Sequence, residues 1–506
     1  MLTEKTRRTI QQRLADETGR LSKEAPTRVC LAYPSPYSAG MSSLGFQRIY
    51  RAIMEADGLM CERAFLADDP KLGETAVTYE SLTPIGNFPI LAVSVAYELE
   101  LAGLVQLLDN AKIPPLAEDR GPGFPFILAG GPLTFSNPLP LGPFVDAMII
   151  GEAEGLTPDV IRTIADASSR DAALAALARM DHVYVPAIHG LELPSVAKVD
   201  DSLLPAWAPM RTPHTALANM FLIETERGCS RRCTYCVMRR STNGGMRLAP
   251  METILGLVPP DAKKVGLVGA AVSDHPKIIP IVRSLAESGR QVGLSSLRPD
   301  RLSDEFVGAL KLAGYRTLTT AMDGPSERLR ESLDRHARVK HLVLAAERAR
   351  AHKMTTLKLY LMVGLPGETS EDIDECVQFT TELSKIVPVA LGIAPFCAKR
   401  NTPLDGAAFA GIDVVDDRLD RLRRGLRGKA DMRSTSAKWA WVEYVLAQGA
   451  HAEGRAVITA TRNGGSFAAY KRAFAELPQE RPRRSLRVVD SPVRAPAAAQ
   501  DGPATS

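Results

Sequence analysis

Cysteine is scarce in this chain, with seven among 506 residues. An odd and mostly scattered set excludes a disulfide framework. It points to a reduced, cytoplasmic setting, where clustered cysteines more often serve metal or redox chemistry. Histidine is absent from Met1 to Asp181. No run of about 18 apolar residues exists to span a bilayer. The opening MLTEKTRRTIQQRLADETGR is a charged helix pattern without the apolar centre of a signal peptide. Charge of one sign is lacking too: the net charge of +4 is too small for bulk electrostatics to favour nucleic acid. Apolar residues at 45% and charged residues at 24% leave an ordinary globular protein. Its length calls for two or three domains.

What is present is a double series of α/β units. After a helix in 1–26, the stretches RVCLAYP, ILAVSVAY, FPFILAGG and DAMIIGEAEG read as buried parallel strands. GMSSLGFQRIYRAIMEADG and ELAGLVQLLDNAKI show helical periodicity between them. Residues 27–200 are thus expected to form a doubly wound sheet with a connector, its ligands beyond the carboxyl ends of the strands. A second series fills 215–404: MFLIETE, KKVGLVGA, QVGLSSLR, TLTTAMD, TLKLYLMVG and VALGIAPF alternate with helices. Six such units suit a partial β/α barrel with its chemistry on the same strand ends. Residues 405–477 read as a small helical appendage, and 478–506, rich in Pro, Arg and Ala, as a disordered tail.

The chemistry concentrates in RGCSRRCTYCVMRR, residues 227–240. Cys229, Cys233 and Cys236 follow the first barrel strand with C-x3-C-x2-C spacing. Three thiolates on a cubane of four irons leave one iron without a protein ligand. Arg231, Arg232, Arg239 and Arg240 are placed to offset the cluster's negative charge. The alternative is structural zinc, which closes with a fourth Cys or His; Cys376 and Cys397 stand alone, and His214 is the nearest histidine.

This spacing, on the first strand of a six-strand β/α domain, resembles the radical S-adenosylmethionine (radical SAM) superfamily. The resemblance implies a [4Fe–4S] cluster on the three cysteines, with SAM chelating the open iron. It implies reductive cleavage of SAM to a 5′-deoxyadenosyl radical, and a low-potential electron donor such as a flavodoxin or ferredoxin. It further implies Tyr235 near the adenine and Gly269, in GLVGAA, at the SAM amino group, although the usual acidic residue there is missing. Asp323, Ser326 and Arg328, in AMDGPSERLR, would meet ribose and carboxylate. Gly364, Pro366 and Gly367, in LMVGLPGET, would lie against the base.

The sheet ahead of the barrel, with AYPSPYSAGMSSLGFQRIYR and NPLPLGPFVDAMIIGEAEG, resembles the cobalamin-binding radical SAM architecture. Gly40, Gly45, Gly130, Gly131 and Gly151 would then let backbone approach a corrin. The D-x-H-x-x-G loop of many cobalamin domains is missing, so the resemblance implies base-off cobalamin without a histidine ligand. The same fold without corrin, capping the barrel or binding substrate, is the competing reading. With cobalamin the implied reaction is methylation of an unactivated carbon or phosphorus centre. Without it the choices are rearrangement, cross-linking or sulfur insertion, and a cluster-bearing RNA-associated protein is a further alternative. No membrane or nucleic-acid partner is expected, and the substrate has no readable code.

Several residues carry two readings. Arg298 reaches a carboxylate of SAM or substrate, or pairs with Asp300 or Asp304. His275 moves a proton, or caps the following helix. Cys397 is a rim thiol or a buried one. The arginines of RLDRLRRGLRGK read as a solvated helix face, and Trp439, Trp441 and Tyr444 as core packing.

Overall fold

The computed structural model describes residues 2–69, 72–238 and 245–477; the tail from 478 and two arginines of the cysteine loop, Arg239 and Arg240, lie outside them. The first sheet contains β1 (Thr27–Pro36), β2 (Leu59–Leu66), β3 (Ile90–Ser94), β4 (Phe126–Gly130), β5 (Ala147–Ile149) and β6 (Val183–Tyr184). Their order is β2-β1-β3-β4-β5-β6, parallel throughout except that β6 runs against β5. Alternation along each strand sends neighbours to opposite faces. Val29 and Leu31 pack with Phe46, Tyr50 and Ile53 of helix Leu44–Glu55. Cys30 and Ala32 point the other way, towards Leu101, Leu104 and Leu108 of helix Glu100–Asn110. The order 2-1-3-4-5 is doubly wound, and its switch point lies between β1 and β3, where such sheets take ligands.

Strand β2 was not expected from sequence, because LMCERAFL carries charges that normally stay in water. Here they are paired off. Arg63 is fully buried and donates to Glu17 at 2.8 Å and Glu80 at 2.6 Å. Glu62 accepts from Arg28, Thr78 and Ser81.

The second series forms two parallel sheets. β7 (Met220–Glu224), β10 (Lys264–Val268) and β11 (Gln291–Leu294) make one, in the order β11-β10-β7. β12 (Thr317–Asp323), β13 (Thr356–Val363), β14 (Val389–Pro395) and β15 (Ala430–Ser434) make the other. Between them β8 (Glu226–Gly228) and β9 (Met246–Leu248) form an antiparallel hairpin. No ladder joins β11 to β12, so this is an open barrel. Leu357, Leu359, Leu361 and Val363 pack outward on the helices. Lys358, Tyr360 and Met362, alternating with them, stay partly exposed on the concave side.

The C-terminal segment is helical over Ala437–Gln448, His451–Arg462 and Phe467–Ala475, but position 405 does not separate it as a packing unit. Helix Ile412–Leu426 buries Val415, Leu419, Leu422 and Leu426 in the barrel core, and β15 extends the barrel sheet as a seventh parallel strand. The last three helices turn back instead. Val442, Leu446, Val457 and Phe474 share a core with Leu91, Val93 and Met148 of the first sheet.

Candidate active site between the sheet and the barrel

The three cysteines occupy the excursion of the β8–β9 hairpin, at the carboxyl end of β7. Backbone bonds fasten the loop: Thr234 N–H donates to Leu333 O at 3.1 Å, and Leu404 N–H donates to Thr234 O at 3.2 Å. Cys233 is buried, and Cys229 and Cys236 are partly so. Burial pushes the Cys236 thiol up to about 11, and the neighbouring Cys233 and Cys229 add to the shift. Burial also raises Cys229, eased by the Arg231 N–H, which lies 3.4 Å from its Sγ. The thiols therefore sense one another. Yet no three His, Cys, Asp or Glu side chains among the described residues gather tightly enough for one metal ion. Three thiolates on one loop are a donor set that an iron–sulfur cluster takes.

Of the expected cations, Arg231 acts on the charge of Cys229, and others not expected join it. Arg231 is engaged by Asp274 at 3.1 Å and Asp300 at 3.6 Å, and Arg232 is exposed. Further positive charge beside the thiols comes from Arg335, bonded to Cys233, and Arg298, near Cys229. Arg298 pairs with Asp300 at 2.9 Å and lies 3.5 Å from Asp274, not Asp304; its Nη1 is buried without a partner.

The fourth- and fifth-strand residues form a braced wall. A register shift at the end of β12 leaves Asp323 at φ 65°, tied to Arg335 and to the Tyr235 hydroxyl. Tyr235 packs on the apolar cluster of Leu365 and Phe396. Ser326 is a correction. It is fully buried, caps helix Glu327–Ser332 through Leu329 N–H at 3.2 Å, and donates to Asp372 at 2.6 Å, which leaves no face for a ligand. Arg328 clasps the next loop through Gly367 O at 3.0 Å and Asp372 at 2.5 Å. Within that loop Gly364 N–H donates to Glu368 at 2.9 Å, while Pro366 and Gly367 are exposed.

A cavity of about 590 Å³ opens between the carboxyl edge of the first sheet and the first strands of the barrel. It brings together Gly45, Gly130, Gly131 and Gly151 from one side, and Gly228, Met238 and Gly269 from the other. Tyr235, Asp323, Ser326, Arg328, Gly364, Pro366 and Gly367 do not line it. The glycines serve different ends. Gly131 and Gly151 both have φ 105°, and a Cβ there would meet Val95 O and Ala197 N at 2.6 Å, so the fold itself demands them. At Gly130 the nearest atom to a Cβ would be 3.9 Å away; its bareness leaves space in the cavity. Gly40 is a second correction: it lies against Phe65, not at the cavity.

Sequence reasoning missed the cavity's charged walls. Glu226 is about 1% exposed and accepts Ala271 N–H at 2.8 Å and the Thr225 hydroxyl. Burial, opposed by those two bonds and aided by Glu224 and Asp274, pushes its carboxyl up to about 7. A Cβ at Gly269 would fall 1.9 Å from Glu226 Oε1, which explains that glycine from within the protein. Glu154 and Glu224 pair with Arg227 at 2.6 and 2.7 Å, and Glu152 pairs with Arg247 at 2.5 Å. The GEAEG segment displays two of these acids, but their cations stand some 75 to 95 residues further on, where no local pattern reveals them.

The remaining doubtful residues resolve towards structure. His275 accepts Lys277 N–H at 3.1 Å and has Nε2 3.0 Å from Ala249 O; it braces the loop, while the helix starts at Ile278 without a side-chain cap. Cys397 donates to Ala440 O at 3.1 Å, and burial raises its pKa. Trp441 and Tyr444 pack half-buried against Phe467 and Phe409, whereas Trp439, edge-on to Tyr470, is 38% exposed and lies outside the core. In the arginine-rich helix, Arg421 and Arg423 pair with Asp374 and Asp420.

A cysteine loop on an open β/α barrel, joined through one cavity to a doubly wound sheet, defines a class of cofactor-dependent α/β enzyme. Two protein families match the chain: "Radical SAM proteins, N-terminal" over residues 45–186 and "Radical SAM superfamily" over residues 223–380. The chain belongs to the radical SAM superfamily and is a radical SAM enzyme. An uncharacterized protein of Methanocaldococcus jannaschii is 27% identical over 389 residues, covering 75% of this chain and 80% of that relative. The ribosomal protein uS12 methylthiotransferase RimO of Geobacter sulfurreducens is 27% identical over 222 residues, 41% of this chain and 48% of its own. The chain thus matches about half the length of that methylthiotransferase. Among solved structures, the cobalamin-dependent SAM radical enzyme OxsB with aqua-cobalamin bound is similar at TM-score 0.49 and 13% identity, over 79% of this chain and 56% of that one. No described helix is long and apolar enough to cross a membrane.

Proposed function

We propose that this radical SAM enzyme acts on a substrate held in the cavity between sheet and barrel, that it carries cobalamin against the carboxyl edge of the first sheet, and that it methylates an unactivated carbon or phosphorus centre. The observation that carries this reading is the continuity of the cavity, from Gly130 and Gly131 beyond β4 to Gly228 and Gly269 beside the cysteine loop. Its volume of about 590 Å³ is within the usual range for small-ligand sites.

Cys229, Cys233 and Cys236 would hold the cluster, which when bound supplies an electron to the sulfonium of SAM. The protein's own part is orientation, charge balance and exclusion of water. Arg335 and Arg298 bring positive charge to the thiolates. Tyr235 and Leu365 give the loop an apolar backing. Glu226, held by Ala271 N–H, presents a carboxyl able to hold or release a proton near neutral pH at the mouth of the second strand. Leu31, Ala92, Val93 and Leu128 offer an apolar floor beside the β1/β3 switch point, which fits a flat macrocycle. No histidine lines the cavity, so this chain would give the corrin no imidazole there. The electron donor would be a flavodoxin or ferredoxin.

Sulfur insertion without cobalamin is the second reading, favoured by the likeness to methylthiotransferases. Anaerobic turnover separates the two. Methylation predicts retained corrin, with 5′-deoxyadenosine and S-adenosylhomocysteine both formed; protein that never retains corrin after growth or reconstitution with it would sink this reading. Changing Cys229, Cys233 or Cys236 to Ala is expected to abolish iron binding and 5′-deoxyadenosine formation, and Cys30→Ala or Cys61→Ala to preserve both.

A further inference from the structure

Arg48 lies in the second turn of helix Leu44–Glu55 and lines the interdomain cavity. It is only 4% exposed, and neither its Nε nor its Nη1 has a hydrogen-bond partner among the described residues. A guanidinium is always charged and offers five donors in a rigid fork. Burying such a group unpaired costs several kcal/mol by the usual measure of desolvation. The acids of the cavity wall are bonded to other arginines: Glu152 to Arg247, and both Glu154 and Glu224 to Arg227. Glu55, one turn beyond on the same helix, pairs with Arg51 at 3.4 Å. Glu226 is satisfied by Ala271 N–H and the Thr225 hydroxyl. Arg48 thus balances charge with Glu154, Glu55 and Glu224 only at a distance, and it keeps unfilled donors at the wall of the vault. The first turn of its helix, Leu44 to Phe46, lines the same vault, and its terminal N–H groups add favourable potential for an anion.

We propose that the cavity binds a ligand bearing an oxyanion, a carboxylate or a phosphate, on an apolar body, with Arg48 as its anchor. The fork supplies the paired donors such a group takes, and Leu44, Ile49, Phe135 and Ile149 receive the apolar part. The inference rests on the cavity being a ligand site, but not on the chemistry done there. Failure of SAM cleavage would sink the proposed reaction and leave this binding intact.

The test uses the full chain, prepared anaerobically, and three probes: hexanoate, butyl phosphate and uncharged hexanamide. At least one anion is expected to raise the melting temperature saturably while hexanamide does not. A response to hexanoate alone assigns a carboxylate, and to butyl phosphate alone a phosphate. Arg48→Met is expected to weaken that anion by about tenfold or more, the scale of a lost charge-assisted bond, and Arg48→Lys to retain part of the affinity. A merely structural arginine predicts equal anion affinity in Arg48→Met and the wild type. No saturable response to either anion, an equal response to hexanamide, or full affinity in Arg48→Met overturns the proposal.

Discussion

Glu226 shows how one side chain can tie stability to pH. Its carboxyl rises from 4.5 in the open chain to about 7 when buried, so the folded protein holds this proton more tightly than the unfolded one. The contribution is fully present below about pH 4.5 and is lost as pH climbs through about 7. Across that window it amounts to roughly 3 kcal/mol. Glu226→Gln keeps the shape and an acceptor for Ala271 N–H while removing the charge. Its melting temperature is expected to track the wild type near pH 5 and exceed it increasingly towards pH 8.5. A constant difference across that range would contradict the assignment. Residues of this kind resist reading from sequence, because nothing in ETERGC distinguishes a buried carboxyl from an exposed one. The cysteines were legible for the opposite reason: their ligand chemistry demands a short, fixed spacing.

At the scale of elements, strands with unbroken apolar runs such as ILAVS and KVGLV were legible. β2 and β15 were not. β2 hides Glu62 and Arg63 by pairing them with residues distant in sequence. β15, ADMRS, is an edge strand beside β14 whose pattern of half-buried residues gives no apolar signal. Helix Ala437–Gln448 shows a related dependence on remote partners. Asn137, in the loop beyond β4, donates to Ala447 O at 3.0 Å and Gly449 O at 2.8 Å, satisfying carbonyls at the helix end. Asn137→Ala leaves them unpaired in the interior. The expected loss is about 1–3 kcal/mol, read by chemical denaturation, with amide exchange accelerated first in 437–448.

For the whole molecule, the joints are polar and the seams apolar. Lys399, beyond β14, donates to Glu98 of the first domain and to Glu443 of the C-terminal helix, both at 2.7 Å. Glu98 is almost fully buried, so Lys399→Met would strand its charge. A cost of about 3–5 kcal/mol is expected, seen as a lower melting temperature and new protease cuts between the units; Glu98→Gln in the same chain should recover much of it. Domain order was legible because the two α/β series succeed each other along the sequence. The return of the last helices to the first sheet was not, since amphipathic helices show that they must be covered and not by what.

That return governs the order in which the chain can mature on the ribosome. The face of the first sheet carrying Leu91, Val93 and Met148 stays partly bare until residues 437–475, made some 300 residues later, arrive to cover it. A nascent chain stalled at residue 434 should therefore bind a hydrophobic dye and lose protease resistance in its first 200 residues, whereas one released after 477 should not. Equal resistance in both would show that the sheet closes without its late cover. Synthesis thereby leaves an interval in which that apolar face is open to chaperones and to other chains.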